Sequence, residues 1–132
     1  MERPIGHPYD TPVSAGLRFS VEILAWIAGP WAVTEVTFWL WPPAALLLIA
    51  LPAVFSTRGD KRQVLVPTPG PARVLIEFLL HAVAIMGAWI AWPALVATPV
   101  TLVVAAAVVT GFPRLLWLLR GAPTPVSRVS PE

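Results

Sequence analysis

The sequence predicts an all-α polytopic membrane protein: four transmembrane helices forming two hairpins in a parallel internal repeat. Three observations carry that expectation. Of 132 residues, 57% are hydrophobic and only 12% charged, about half the charge of an ordinary soluble domain. A fold this small cannot hide so much apolar side chain from water, whereas in a bilayer its outside can be as apolar as its inside. The apolar residues also fall into four runs, at 15–33, 36–55, 71–92 and 94–119. Each approaches or exceeds the roughly 20 residues that a helix needs to cross a hydrocarbon core. Transmembrane strands would be about half as long and would alternate in polarity, and these runs do not. Finally, the basic residues gather on one side of the four-span arrangement.

Residues 1–14 are polar and contain Pro4, Pro8 and Pro12, where a signal peptide would have a short basic segment. They are expected to be a disordered cytoplasmic N-terminus. The first helix, 15–33, meets the second, 36–55, through a turn at Thr34 and Glu35. So short a link forces the two to run antiparallel. A polar loop follows at 56–70, with Arg58, Asp60, Lys61, Arg62, Pro67, Pro69 and Gly70. Pro71 then suits the first turn of the third helix, 71–92. Pro93 marks the turn into the fourth, 94–119, and 120–132, with Pro123, Pro125 and Pro131, is expected to be a disordered cytoplasmic tail. Most prolines inside the runs lie within two turns of a helix end, where the lost hydrogen bond costs little, and Pro52 and Pro99 are either kinks or tolerated membrane prolines.

Orientation follows from charge. Arg3, Arg18, Arg58, Lys61, Arg62, Arg73, Arg114, Arg120 and Arg128 all fall on one side, and the other has only Glu35. The positive-inside rule makes the basic side cytoplasmic, and Trp31, Trp39, Trp41, Trp89 and Trp92 form an aromatic belt at the opposite interface. This placement accounts for the net charge of +2 without nucleic acid, for which no motif is present. The absence of cysteine excludes disulfides and thiolate chemistry. There is no phosphate-binding glycine loop, zinc-binding histidine pair or nucleophile elbow, and His7 and His81 lie too far apart in the expected fold to share a metal. No enzyme activity, cofactor or metal is expected.

An internal repeat is visible. Arg18-x-x-x-Glu22-x-Leu24 recurs 55 residues later as Arg73-x-x-x-Glu77-x-Leu79, so each copy would be one hairpin entering the membrane in the same direction. These motifs, with Leu17 and Phe19 beside Arg18, the break from Phe55 to Arg62, and Pro71-Ala72 before Arg73, carry a resemblance. Over about residues 17–119 the chain resembles the YrdB family of small four-helix bacterial membrane proteins, which has no established function. It departs from that pattern in its proline-rich second helix and longer tails. The resemblance implies the four-helix architecture and a bacterial inner membrane, and it implies no activity.

The candidate intramembrane polar site is Glu22, Glu77, Arg18, Arg73 and His81. A carboxylate within a span is costly unless it is paired or faces water. Each Glu has an Arg four residues earlier on the same helix face, and His81 extends one stripe where the other repeat has Trp26. One reading makes these pairs anchors for helix ends, with each Arg reaching outward. The other makes Glu22 and Glu77 proton- or cation-binding groups facing each other across the bundle, with His81 as a relay. Ala25 and Gly29, Gly87 and Ala91, and Ala107 and Gly111 form small-xxx-small pairs that mark close helix contacts, within the bundle or at a dimer face. Two functions are therefore weighed. The preferred one is a small accessory or interaction subunit of a membrane complex, surrounded by lipid and bound to a membrane-protein partner or to its own copies. The alternative is an oligomeric proton- or cation-coupled transporter or channel using Glu22 and Glu77.

Overall fold

The structure, a computed structural model, describes residues 9–57 and 66–122. In chain order these form α1 (Pro12–Thr34), a 3-10 turn (Phe38–Leu40), α2 (Trp41–Val54), β1 (Phe55–Ser56), β2 (Val66–Pro67), α3 (Gly70–Ala91), α4 (Ala94–Thr110) and α5 (Phe112–Leu119). Among the described residues the fold is all-helical apart from that two-residue strand pair, which is parallel, with Phe55 opposite Val66. Arg3, Arg58, Lys61, Arg62 and Arg128 lie outside the described residues, as do the expected disordered stretches 1–8 and 123–132.

Three boundaries differ from the sequence expectation, each for a local reason. Helix α1 begins at Pro12, so 12–14 belong to it and not to a disordered tail. Thr11 closes a capping box there: its hydroxyl accepts from the Ser14 N–H at 3.0 Å, and the Ser14 hydroxyl accepts from the Thr11 N–H at 3.0 Å. Pro12 occupies the first helical turn, where its missing N–H costs nothing. The second run is divided, because the chain leaves α1 after Thr34, makes the 3-10 turn and starts α2 with Pro42 and Pro43 in its first turn. The fourth run is not one helix. It breaks at Gly111, and α4 and α5 meet at 59°. Pro113 cannot donate to the carbonyl of Val109, and glycine is a poor helix former, so the break falls where continuation is weakest.

Among the described residues, α3 is the one helix long and apolar enough to cross a membrane by itself. Helices α4 and α5 supply a second if the bent pair counts as one span, while Phe38–Val54 is apolar but shorter. Helix α1 has the length, but Arg18 and Glu22 dilute its apolar character.

Helices α1 and α3 make the most extensive contact in the molecule. Glu22 lies 4.0 Å from Arg73 at one end, and the rings of Trp31 and Trp92 meet at 5.8 Å at the other, so the two helices run the same way. Small residues permit this close approach: Ala25, Ala28 and Gly29 on α1 and Ala84, Gly87 and Ala88 on α3 are all buried. A Cβ on Gly87 would lie 2.8 Å from the Ala28 backbone. Of the small-residue pairs, Ala25, Gly29, Gly87, Ala107 and Gly111 are thus buried inside the chain, and Ala91 is half-buried.

Helix α2 returns along α1. Pro52 has no N–H to give the Leu48 carbonyl one turn back, and the Trp26 indole supplies the missing donor at 3.0 Å. Helix α4 returns along α3, with Trp89 Nε1 donating to Thr101 Oγ1 at 2.9 Å. Helix α5 then folds Leu115, Trp117 and Leu118 onto Val74. Among the described residues, Arg18, Arg73 and Arg114 thus lie toward one end and the tryptophans, Trp117 excepted, toward the other.

Candidate functional site

At the arginine end, α1, α3 and α5 each deliver charged side chains to one buried cluster. Glu77 lies at its centre, 3% exposed. Arg114 from α5 clamps it with two bonds, Nη1 to Oε1 at 2.9 Å and Nη2 to Oε2 at 2.7 Å. Such a bidentate fork is the strongest common pairing of these groups. Arg73, one turn before Glu77 on α3, adds Nε to Oε2 at 3.0 Å. The rest of the Arg73 guanidinium reaches the end of α2, where Nη1 donates to the carbonyls of Pro52 at 3.0 Å and Phe55 at 2.8 Å. Those carbonyls belong to the last turn of α2 and its cap, which lack helical partners and carry partial negative charge. Arg73 therefore ties α3 to the C-terminal end of α2. Its Nη2, buried and without a hydrogen bond among the described residues, has Glu22 Oε1 at 4.0 Å.

Arg18 extends the cluster toward the start of α1. Its Nη2 donates to Asp10 Oδ2 at 2.9 Å and its Nη1 to Asp10 Oδ1 at 3.3 Å, and Asp10 also accepts from the Ser14 hydroxyl. Among the described residues, Asp10, Glu22 and Glu77 thus stand against Arg18, Arg73 and Arg114, three charges of each sign. Burying a charge is tolerable when it is paired and hydrogen-bonded, and this balance meets that condition. Of the two pairs that helical spacing predicts, Arg73–Glu77 forms, whereas Arg18 bonds to Asp10 and Glu22 lies 4.0 Å from Arg73.

His81 is half-buried, and its Nδ1 lies against the main-chain carbonyl of Glu77. A carbonyl only accepts, so Nδ1 carries the proton. The ring also packs on Phe78, with centroids 5.8 Å apart. Arg18, Glu77, His81, Gly111 and Arg114 border a cavity of about 10 Å3, the size of roughly one water molecule. Among the described residues no group of acidic or histidine side chains is arranged to hold a metal.

No family model, curated protein or solved structure matches the chain. The site must be read from its own geometry.

Sequence reasoning found Arg18, Glu22, Arg73, Glu77 and His81 but missed Arg114 and Asp10. Arg114 reads in the sequence as an orienting charge, although a lone charge inside the apolar run 94–119 is itself a sign of a buried partner. Asp10 fell in the expected disordered tail. Burial disfavours its charged form, but hydrogen bonds from Arg18 and Ser14 and the charge of Arg18 outweigh that, holding its carboxyl below the ordinary 3.8. A depressed carboxylate pKa adds stability above the unfolded value and loses it as pH falls through the folded one. Asp10→Asn should therefore lower the melting temperature at pH 7. The gap to the parent should narrow as pH drops below about 3.8, as melting curves across pH would show.

Proposed function

We propose that this chain is a four-span protein of the bacterial inner membrane, with both termini cytoplasmic, acting as a small accessory or interaction subunit of a larger membrane complex. The state of Glu77 carries the functional part of this reading. Both of its oxygens are bonded to Arg114, and one also to Arg73. A carboxylate committed to holding three helix ends together is poorly placed to exchange protons or cations at each turnover. The cluster is better suited to be a clasp than a transport site, which favours the subunit reading over a transporter using Glu22 and Glu77.

The membrane reading has its own support. Only 33% of the most apolar stretch of α3 is buried inside the molecule, whereas a soluble core helix would be mostly covered. Leu75, Leu95 and Val109 are 72%, 87% and 72% exposed, an outside that suits lipid or another membrane protein. The parallel course of α1 and α3 fits two hairpins in a parallel repeat, as the YrdB-like motifs imply. The basic end, by the positive-inside rule, is the cytoplasmic one.

A pull-down from native membranes in mild detergent, with intact mass of the eluted complex, tests the function. A foreign protein in fixed stoichiometry is the expected result. Copies of this chain alone would remove the subunit reading and return Glu22 and Glu77 to the transporter alternative.

A further inference from the structure

At the end away from the arginines, a groove of about 480 Å3 opens between α1 and α2. Trp26, Trp31, Phe38 and Trp41 line it, with Pro30 and Thr34. Its volume falls in the ordinary range for small-molecule sites, roughly 300–1,000 Å3. An aromatic wall of this kind could accept an acyl chain or a cation, and the surrounding charge distinguishes them. Residues 27–53 and 82–113 contain no Lys, Arg or His, and their single charged residue is Glu35, next to Thr34 of the groove wall. Glu35 is exposed. Among the described residues the one charge beside the groove is therefore negative, and aromatic faces add attraction for cations.

The polar groups of the wall narrow the ligand further. The Trp26 indole N–H is committed to the Leu48 carbonyl at 3.0 Å, and the Thr34 hydroxyl donates to the Trp31 carbonyl. Trp26 is thereby fixed in place, and Trp31 is braced edge-on against Trp92 at 5.8 Å. Such a wall suits a cation that needs no hydrogen bonds. We infer that this groove binds a hydrophobic organic cation of the quaternary ammonium or phosphonium class. The inference rests on the α1–α2 hairpin and is independent of the subunit reading.

Equilibrium dialysis of the full chain in an uncharged maltoside detergent, corrected for protein-free micelles, tests it with tetraphenylphosphonium and tetraphenylborate. These ions have nearly the same size and opposite charge. The phosphonium should saturate at about one per chain, with the borate bound at least tenfold more weakly. Trp31→Ala and Trp41→Ala should each weaken the phosphonium by about tenfold. Glu35→Gln, a change in an exposed turn that leaves the helices intact, should weaken it severalfold and reduce its salt dependence. Equal binding of the two ions would show an apolar groove for acyl chains and overturn the inference. So would phosphonium binding unchanged by Glu35→Gln and by both tryptophan substitutions.

Discussion

Glu77→Gln is expected to cost the bundle about 3–5 kcal/mol, the range for removing one partner of a buried ion pair. Glu77 is 3% exposed and bonded to both Arg114 and Arg73, so its loss of charge removes the hydrogen-bonded counter-ion that the two buried guanidiniums share. Those two residues are 1% and 0% exposed, which denies them water as a substitute. Glu22→Gln should cost less, since the Glu22 side chain is more exposed, 14% against 3%, and meets Arg73 at 4.0 Å, beyond hydrogen-bond distance. Thermal melting in detergent, followed by circular dichroism, compares the two. Equal losses would mean that the repeat-related glutamates are equivalent anchors and that the Arg114 clamp adds nothing.

Gly70→Ala should be the most damaging single methyl in the molecule. A Cβ there would lie 1.9 Å from the Leu118 carbonyl oxygen and 2.7 Å from its carbon, both backbone atoms that cannot turn aside. Either α3 or α5 must shift, and with it the packing of Val74 on Leu115, Trp117 and Leu118. Overpacking of this kind costs about 1–3 kcal/mol or more. Gly16→Ala is the matched control. Its Cβ would meet nothing within 4 Å, and replacing a mid-helix glycine by alanine adds about 1 kcal/mol. The two substitutions should therefore move the melting temperature in opposite directions. Proteolysis near residue 120 should rise for Gly70→Ala alone, because α5 is the element displaced.

The helical class was legible because long unalternating apolar runs admit little else. The Arg73–Glu77 pair was legible too, since a four-residue spacing on a helix is a local fact. Arg114 was not, because its partner lies on another helix and no spacing rule reaches 37 residues along the chain. The break of the fourth run was written in Gly111-Phe112-Pro113 but was submerged in its hydrophobicity. The Trp26 bond to Leu48 shows the same limit: Pro52 announces an orphaned carbonyl, and only the packing of α2 on α1 says which side chain serves it.

The central claim is that four segments cross a membrane with the arginine end inside. The chain has no cysteine, so single cysteines can report topology against a silent background. Glu35→Cys and Pro93→Cys probe the tryptophan end, and Pro67→Cys and Arg120→Cys the arginine end, all at exposed positions. With a membrane-impermeant maleimide on spheroplasts, the first pair should label in intact cells and the second only after lysis. Labelling of either Glu35→Cys or Pro93→Cys only after lysis would contradict the four-span account.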